Sequence, residues 1–281
     1  MAQGKIPALE SRLKAYDEFS SIRHHRARVH VVADITSKYG ISSTTIYSWY
    51  RGKTPWGKRA GRVSIVPELL YVLGALLGDG CIYHWRGVFQ VWLVGDRKFV
   101  QKYAMKLGRC LDRNVPYYKY GSKNAWFVRV NNSERYFLLR DIRKNHGLLQ
   151  DLVNRVGRNR GLLELVEGFF DAEGCVKAIK ERQRKTAKIC LDVCNTNLGL
   201  IKVMQLSIAE SLHIPSKISI QRPKPPRVTA YHLRIYKKTD VKRFLSIVPT
   251  TKLRESRRRL AEVWFAKKGR WGKSTLQLSR V

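Results

Sequence analysis

The distribution of apolar residues along the chain predicts helices and short strands that alternate over most of its length. The apolar run Leu69–Gly78 has ten residues, which suits a buried helix but is too short to cross a bilayer. Short segments rich in β-branched and aromatic residues predict strands, because several of them alternate apolar and polar positions. These segments are Gln90–Val94, Tyr117–Tyr120, Trp126–Val130, Lys188–Val193, Lys217–Ile220 and Tyr231–Tyr236. Helical patterns separate the strands, so the sequence predicts an α+β protein.

Residues 1–62 are predicted to form a small helical extension followed by a linker. Ile35, Ile41, Ile46 and Trp49 supply the apolar positions of two short helices that meet at a glycine. The pattern resembles a helix-turn-helix, whose second helix enters the major groove of DNA. The residues that this resemblance places at DNA are Thr44, Thr45, Tyr47, Arg51 and Lys53. The alternative is a helical hairpin that packs on the next domain.

Two segments further along the chain repeat each other. Val72–Gly80 reads VLGALLGDG and Val166–Gly174 reads VEGFFDAEG, and their final glycines are 94 residues apart. Similar strand patterns follow each copy in the same order. A period of this length corresponds to about one small domain. We therefore predict a fused duplication with internal pseudo-twofold symmetry, in which residues 63–155 and 156–250 are the two repeats and 251–281 are a basic helical tail.

Each copy ends with an acidic residue followed by glycine, Asp79 in the first and Glu173 in the second. Small residues four apart, such as Gly74 and Gly78, share a helix face and allow two backbones to approach closely. The two helices are therefore expected to pack on each other and to bring their carboxylates together. An acid is unfavourable at a helix C-terminus, and two like charges at close range need a cation. Carboxylate oxygens favour Mg²⁺, for which Mn²⁺ can substitute.

The charge of the chain indicates a polyanionic partner. There are 55 Lys and Arg residues against 21 Asp and Glu residues, a net charge of +34 at pH 7. The excess extends over the whole chain, which is typical of a surface that follows a nucleic-acid duplex. The five cysteines include no C-x-x-C pair, so we expect reduced thiols rather than a zinc site. The N-terminus lacks a secretory signal, and we expect an intracellular protein, in the cytoplasm, nucleoid or an organelle, with no membrane partner.

At the two nine-residue segments the sequence resembles the LAGLIDADG homing endonucleases, specifically the single-chain type with two motifs. The resemblance spans roughly residues 65–260, and the first motif departs from the family pattern at Leu77, where an acid is usual. It implies an αββαββα unit in each half, with two antiparallel sheets forming a saddle over DNA. It also implies an intron-encoded, monomeric endonuclease that makes a double-strand break in a long double-stranded DNA target with Mg²⁺.

The resemblance further implies roles for individual residues. Asp79 and Glu173 would hold the metal, with the carbonyl groups of Gly78 and Ala172 as additional ligands. Lys252 lies in a stretch that resembles the source of a pocket lysine in the family. The looser candidates for the surrounding water network are Asn195, Lys177 and Lys144. For Lys252 and these three residues the alternative is a solvated or phosphate-contacting side chain.

Strand alternation selects candidate DNA contacts in both repeats. It places Arg129 on the open face of the first sheet, and His232 and Arg234 on the open face of the second. These side chains are candidates for contacts to bases or phosphates, and for each arginine the alternative is a surface salt bridge. A basic, proline-rich loop that carries Arg222 and Lys224 is expected to reach the DNA backbone.

The same fold also suits a protein that binds nucleic acid without cutting it. An intron RNA maturase or a non-catalytic regulator is the main alternative, because basic surfaces with interspersed Tyr and Trp serve intron RNA as well as DNA. A basic ribosome-associated protein is a further alternative, but it leaves the duplicated motif unexplained. Two intact acids favour retained cleavage, since paired carboxylates beside phosphates do not help binding alone.

Overall fold

The computed structural model describes residues 9–21, 25–51, 63–85, 88–121, 124–179, 187–222, 226 and 228–266. The chain divides into two compact units. The first comprises the residues up to Leu69 together with Gly80–Asp151, and the second comprises Leu70–Asp79 together with the residues from Leu152 onward. The helix that carries the first nine-residue motif therefore belongs mostly to the second unit.

The first unit begins with a three-helix cluster, consisting of α1 (Leu9–Ser21), α2 (His25–Tyr39) and α3 (Ser43–Tyr50). The three helices share an apolar core. It contains Phe19 and the four residues predicted to be buried, which are Ile35, Ile41, Ile46 and Trp49. Ser42 caps the last helix, because its hydroxyl accepts a hydrogen bond from the Thr45 amide. The two predicted short helices therefore form and bury the expected side chains.

A four-stranded antiparallel sheet forms the rest of the first unit. Its elements are β1 (Gly80–Trp85), β2 (Val88–Gly95), α5 (Arg97–Leu111), β3 (Tyr118–Lys119), β4 (Trp126–Asn131) and α6 (Ser133–Lys144), and α7 (Gly147–Val156) leads into the second unit. The strand order is β1-β2-β4-β3. Val128 and Val130 are buried and Arg129 is exposed, which confirms the alternation predicted for β4.

The second unit repeats this arrangement. Its elements are α4 (Pro67–Asp79), α8 (Arg158–Glu173), β5 (Gly174–Ile179), β6 (Lys188–Asn195), α9 (Leu198–Leu212), β7 (Lys217–Gln221), β8 (Ala230–Ile235), α10 (Lys238–Ile247) and α11 (Glu255–Ala266). The strands form an antiparallel sheet in the order β5-β6-β8-β7. The chain is thus an α+β protein in which each motif helix is followed by ββαββα, as the family resemblance implies.

The helices that join the two hairpins of each sheet begin and end in the same way. Asp96 caps α5 and Asn197 caps α9 by accepting a hydrogen bond from a first-turn amide. Each helix then ends at a residue in the left-handed conformation, Asp112 with φ 48° and His213 with φ 52°. This shared local geometry supports an origin of the two halves by duplication.

Candidate active site

The motif helices α4 and α8 pack with their backbones in direct contact. A Cβ added at Gly168 would overlap the carbonyl group of Tyr71, and one added at Gly74 would lie 2.8 Å from the amide nitrogen of Phe169. At the C-terminal end of the contact, a Cβ at Gly78 would lie 2.6 Å from the Cβ of Ala172. Only glycine fits at these positions, so the predicted packing through small residues is confirmed.

This contact brings the two predicted acids to one place. Asp79 is the last residue of α4 and Glu173 is the last residue of α8, and each precedes the glycine that begins a strand. A Cβ at Gly78 would lie 2.8 Å from the Cγ of Glu173, so the stem of Glu173 packs on the backbone beside Asp79. The two carboxyl groups therefore lie in one cluster at the shared end of the helix pair.

The surroundings of both acids raise the pKa of their carboxyl groups. Partial burial raises the pKa of Glu173, and the charge of Asp79 raises it further. Desolvation by neighbouring protein atoms also raises the pKa of Asp79, although its side chain lies at the surface. Carboxyl groups with raised pKa values stabilise the fold only below their ordinary pKa, and this stability is lost as the pH rises. At neutral pH the charged forms of the two carboxyl groups are therefore less favourable than in water.

Two of the other candidate site residues interact with the acidic pair. Asn195, the last residue of β6, donates a hydrogen bond of 2.8 Å from Nδ2 to Oε1 of Glu173, and its Oδ1 accepts one from the Asn197 amide. Lys252 is half-buried, and its positive charge lowers the pKa of both Asp79 and Glu173. The cluster at the helix ends thus contains two carboxylates, one amide and one ammonium group.

A buried carboxylate that the sequence analysis did not select holds the turn before Lys252. Asp171 is fully buried in α8 and accepts hydrogen bonds from the hydroxyl of Tyr71 at 2.9 Å, from Oγ1 of Thr250 at 2.7 Å and from the amide of Thr251 at 2.7 Å. Oγ1 of Thr250 in turn accepts from the amide of Lys252. The signal in the sequence is an acid within an apolar helix, at the position where the first motif has Leu77.

The remaining secondary candidates lie on β5 and α6. Lys177 is exposed on β5, and its ammonium group pairs with Asp192 of the same sheet. Lys144 is the exposed last residue of α6, in the first unit. Within the described ranges no group of three or more His, Cys, Asp or Glu side chains could hold a metal ion. A metal at the helix ends would therefore need backbone carbonyls or water beside Asp79 and Glu173.

The candidate DNA contacts differ in how accessible they are. Arg129 is exposed over the ring of Trp92, with its guanidinium carbon 5.3 Å from the ring centroid. Thr45 is half-buried and bonds to Ser42. The exposed candidates besides Arg129 are Thr44, Tyr47, Arg51 and Arg222, whereas Lys53 and Lys224 lie outside the described residues.

The expected exposure of His232 is wrong. Its side chain does share a sheet face with Arg234, as predicted, since both contact the carboxylate of Asp192. However, His232 is only 7% exposed, because Nδ1 faces Asp192 and Nε2 lies 2.8 Å from Oε1 of Gln221. Its ring is part of the polar network on the sheet and is shielded from solvent.

Two other general expectations can be compared with the structure. All five cysteines are free, as predicted. No helix within the described parts of the chain has the length and hydropathy needed to span a membrane.

Residues 161–249 match the family model of the LAGLIDADG-like domain. Among solved structures, mesophilic variants of the homing endonuclease I-DmoI are 16% identical with a TM-score of 0.46, over 67% of this chain and 98% of that chain. A double mutant of I-SmaMI is 12% identical with a TM-score of 0.45, over 71% and 90% of the two chains. The N-terminal LAGLIDADG domain of DUF199/WhiA is 12% identical with a TM-score of 0.45, over 69% and 88%.

No curated protein gives a match to the chain. The segment matched by the family model begins within α8, contains the second nine-residue motif and extends over the whole four-stranded sheet of the second unit. The motif and the sheet that follows it both lie within this segment, so residues 161–249 are similar to the LAGLIDADG-like domain.

Proposed function

We propose that the chain is a site-specific homing endonuclease that hydrolyses phosphodiesters in both strands of a long DNA target. In this proposal it is intron-encoded and acts as a monomer. The observation that carries the proposal is the meeting of Asp79 and Glu173 at the shared end of two packed helices, beside Lys252. The net charge of +34 supports a nucleic-acid partner.

A divalent cation fits the residues at this place. Two carboxylates lie together with raised pKa values, and the nearby Lys252 only partly offsets their charge. The carboxylates of Asp79 and Glu173 would hold Mg²⁺ or Mn²⁺, with carbonyl oxygens of Gly78 and Ala172 as further ligands. When bound, the cation supplies an activated water and offsets negative charge on the leaving oxygen.

The side chains around the acids would orient the carboxylates and stabilise charge on a bound phosphodiester. Asn195 holds Glu173 in one orientation through its amide hydrogen bond. Lys252 would stabilise the negative charge that builds up on the scissile phosphate. Asp171 would keep Lys252 in place, because it fixes the turn at Thr250 and Thr251. Lys177 and Lys144 remain candidates for the water network or for phosphate contacts.

The N-terminal segment 1–62 would extend the DNA interface. In the described part of this segment, Thr44 and Tyr47 are exposed on α3, and Arg51 is exposed immediately after it. A short helix with hydroxyl and aromatic side chains next to a basic residue suits insertion into a major groove. The two repeats, 63–155 and 156–250, would each contact one half of the target, and 251–281 would follow as a basic tail.

The decisive test is cleavage of the intronless allele of the gene that contains this reading frame. The purified full chain with Mg²⁺ is expected to cut both strands at one site. Binding of that DNA without cutting, under Mg²⁺ and Mn²⁺ alike, would favour a regulator. Tight binding to the unspliced intron RNA with acceleration of its splicing would favour a maturase.

Metal binding can be measured without DNA cleavage. Adding Mn²⁺ to the EDTA-treated protein is expected to stabilise it, because the cation relieves the repulsion between Asp79 and Glu173. At an ion concentration about five times the dissociation constant, the gain is about 1 kcal/mol. Urea unfolding with and without Mn²⁺ measures it.

The variants Asp79→Asn and Glu173→Gln serve as the comparison in this experiment. Each removes one carboxylate, so the gain from Mn²⁺ is expected to be lost. An equal gain in the wild type and in both variants would locate the ion elsewhere and contradict the assigned ligands.

The network around Asp171 gives a separate prediction. Asp171→Asn removes the negative charge and replaces one of the two acceptor oxygens by an NH₂ group, so the donors of Tyr71, Thr250 and Thr251 can no longer all be paired. We expect the free energy of unfolding to fall by about 2 kcal/mol and cutting to slow, since Lys252 is no longer held. Urea unfolding and cleavage rates measure the two effects.

Asp151→Asn is the matched control, because Asp151 is exposed on α7. It makes the same chemical change at a solvated position and is expected to alter the free energy of unfolding by less than about 0.5 kcal/mol. Equal effects of the two substitutions would mean that the Asp171 network contributes nothing specific.

A further inference from the structure

The open face of the second sheet is organised around one buried carboxylate. Asp192 lies in the central strand β6, opposite Cys175 of β5 and Arg234 of β8, and is only 2% exposed. Its oxygens pair with the Lys177 ammonium group, with Nδ1 of His232 at 3.1 Å and with Nε of Arg234 at 3.1 Å. Three basic side chains thus converge on a single acid.

Asp192 is ionised in this network. Burial alone would raise the pKa of its carboxyl group, but the hydrogen bonds from Lys177 and His232 outweigh burial and lower the pKa below its ordinary value. An ionised carboxylate can only accept hydrogen bonds. Asp192 therefore acts as an acceptor toward Lys177, His232 and Arg234, and holds each of them in a defined position.

The cations remain accessible although the acid is not. The side chains of Lys177 and Arg234 are 45% and 32% exposed, against 1% for that of Asp192. Along β5, Cys175 and Lys177 are exposed while Val176 between them is buried, so this face of the sheet is accessible along β5. A polyanion approaching it meets the cations, and it does not meet the anion that orients them.

Arg234 is held in a geometry that suits a planar acceptor. Its Nε donates to Asp192, and its Nη1 donates to the hydroxyl of Tyr236 at 3.3 Å. These two bonds fix the plane of the guanidinium group. A guanidinium group has five N–H donors, so both terminal nitrogens retain hydrogens for a ligand. Two parallel N–H groups match O6 and N7 of guanine in the major groove.

We infer that Arg234 determines sequence specificity by recognising one guanine of the DNA target, and that Asp192 is the residue that positions it. This inference depends on the proposed DNA target, but not on cutting. A contact to phosphate would need only the charge of Arg234, which a flexible side chain supplies equally well. The carboxylate and the phenol fix the guanidinium plane, and a fixed plane suits a ligand whose orientation matters, such as a base edge.

Selection of binding sites tests the inference. The full-length protein is used to select sites from a randomised DNA duplex library in EDTA, so that cutting does not remove bound DNA. Wild-type sites are expected to share a guanine at one position that sites selected by Arg234→Lys lack. Replacing this guanine is expected to weaken wild-type binding about tenfold and to leave the affinity of Arg234→Lys nearly unchanged.

Two further variants complete the experiment. Lys217→Gln removes an exposed charge directly opposite Arg234 on β7, and it is expected to weaken binding to all sites while keeping the guanine preference. Asp192→Asn keeps Arg234 but removes the carboxylate that positions it. This variant is expected to show a reduced guanine preference. If Asp192→Asn fails to fold, as judged by circular dichroism, the comparison of Arg234→Lys with the wild type still tests the inference.

Each outcome has a definite meaning. A guanine that Arg234→Lys selects as strongly as the wild type overturns the inference, and so does a wild-type selection without a shared guanine. If the wild type selects the guanine but leaves the selected DNA intact with Mg²⁺, the nuclease proposal fails while the role of Arg234 stands.

Discussion

Replacing Asp79 by asparagine or Glu173 by glutamine is expected to abolish DNA cutting while DNA binding is retained. Both substitutions keep the shape of the side chain and remove its negative charge, and with it one ligand of the divalent cation. We expect each variant to cut at least about 100-fold more slowly. Affinity should change little, because the sheet faces that would contact DNA are untouched. Single-turnover cleavage and gel-shift titration on the same target DNA measure the two effects.

The control for this experiment is Glu262→Gln. Glu262 is an exposed carboxylate on α11, so the substitution changes the net charge by the same amount at a position away from the acidic pair. It is expected to cut at the wild-type rate. Cutting by Asp79→Asn or Glu173→Gln at that same rate would show that the carboxylate pair takes no part in the reaction.

The parts of the site that could be predicted from the sequence depend on local pattern and on the repeat. Gly74 and Gly168 occur at corresponding positions of two apolar helices, and close contact between such helices necessarily brings Asp79 and Glu173 together. Alternation correctly assigned the two faces of β4, because Val128 and Val130 have a buried core to face. In the first case the requirement is close helix packing and in the second it is burial of one strand face. Each acts on residues that are close in sequence within one element.

The parts that could not be predicted depend on contacts between distant residues. Asp171 accepts from Thr250 and Thr251, which are about 80 residues further along the chain, and no local pattern connects them. His232 is buried because its ring contacts Asp192 on one neighbouring strand and Gln221 on the other. Alternation identifies the face on which a side chain lies, but its exposure there depends on the lengths and charges of its cross-strand neighbours.

The duplication is not symmetric at the candidate site. Asn195 ends β6 and bonds to Glu173, whereas the corresponding end of β2 is Gly95. A Cβ at Gly95 would lie 2.6 Å from the ring of Phe99, so no side chain fits there without a shift. The next residue, Asp96, serves as the N-cap of α5. At this strand end the first repeat therefore has no counterpart of Asn195, just as it has Leu77 in place of Asp171.

Replacing Gly168 by alanine is expected to destabilise the protein and to disrupt the acidic pair. The new methyl group would overlap the carbonyl group of Tyr71, and a backbone atom in the middle of a helix cannot move aside as a flexible side chain can. The helices α4 and α8 would have to separate, which we expect to lower the free energy of unfolding by about 3 kcal/mol. Urea unfolding in EDTA measures this loss without any contribution from a bound ion.

The separation of α4 and α8 also has a consequence for chemistry. The contact between the helices brings Asp79 and Glu173 together, so Gly168→Ala is expected to reduce cutting even under conditions where the variant is folded. Gly199→Ala is the control, because Gly199 is exposed in the first turn of α9, where alanine favours the helix. It should leave the free energy of unfolding unchanged or slightly raised. If Gly168→Ala matched this control in stability, the backbone contact at Gly168 could not be what brings the two carboxylates together.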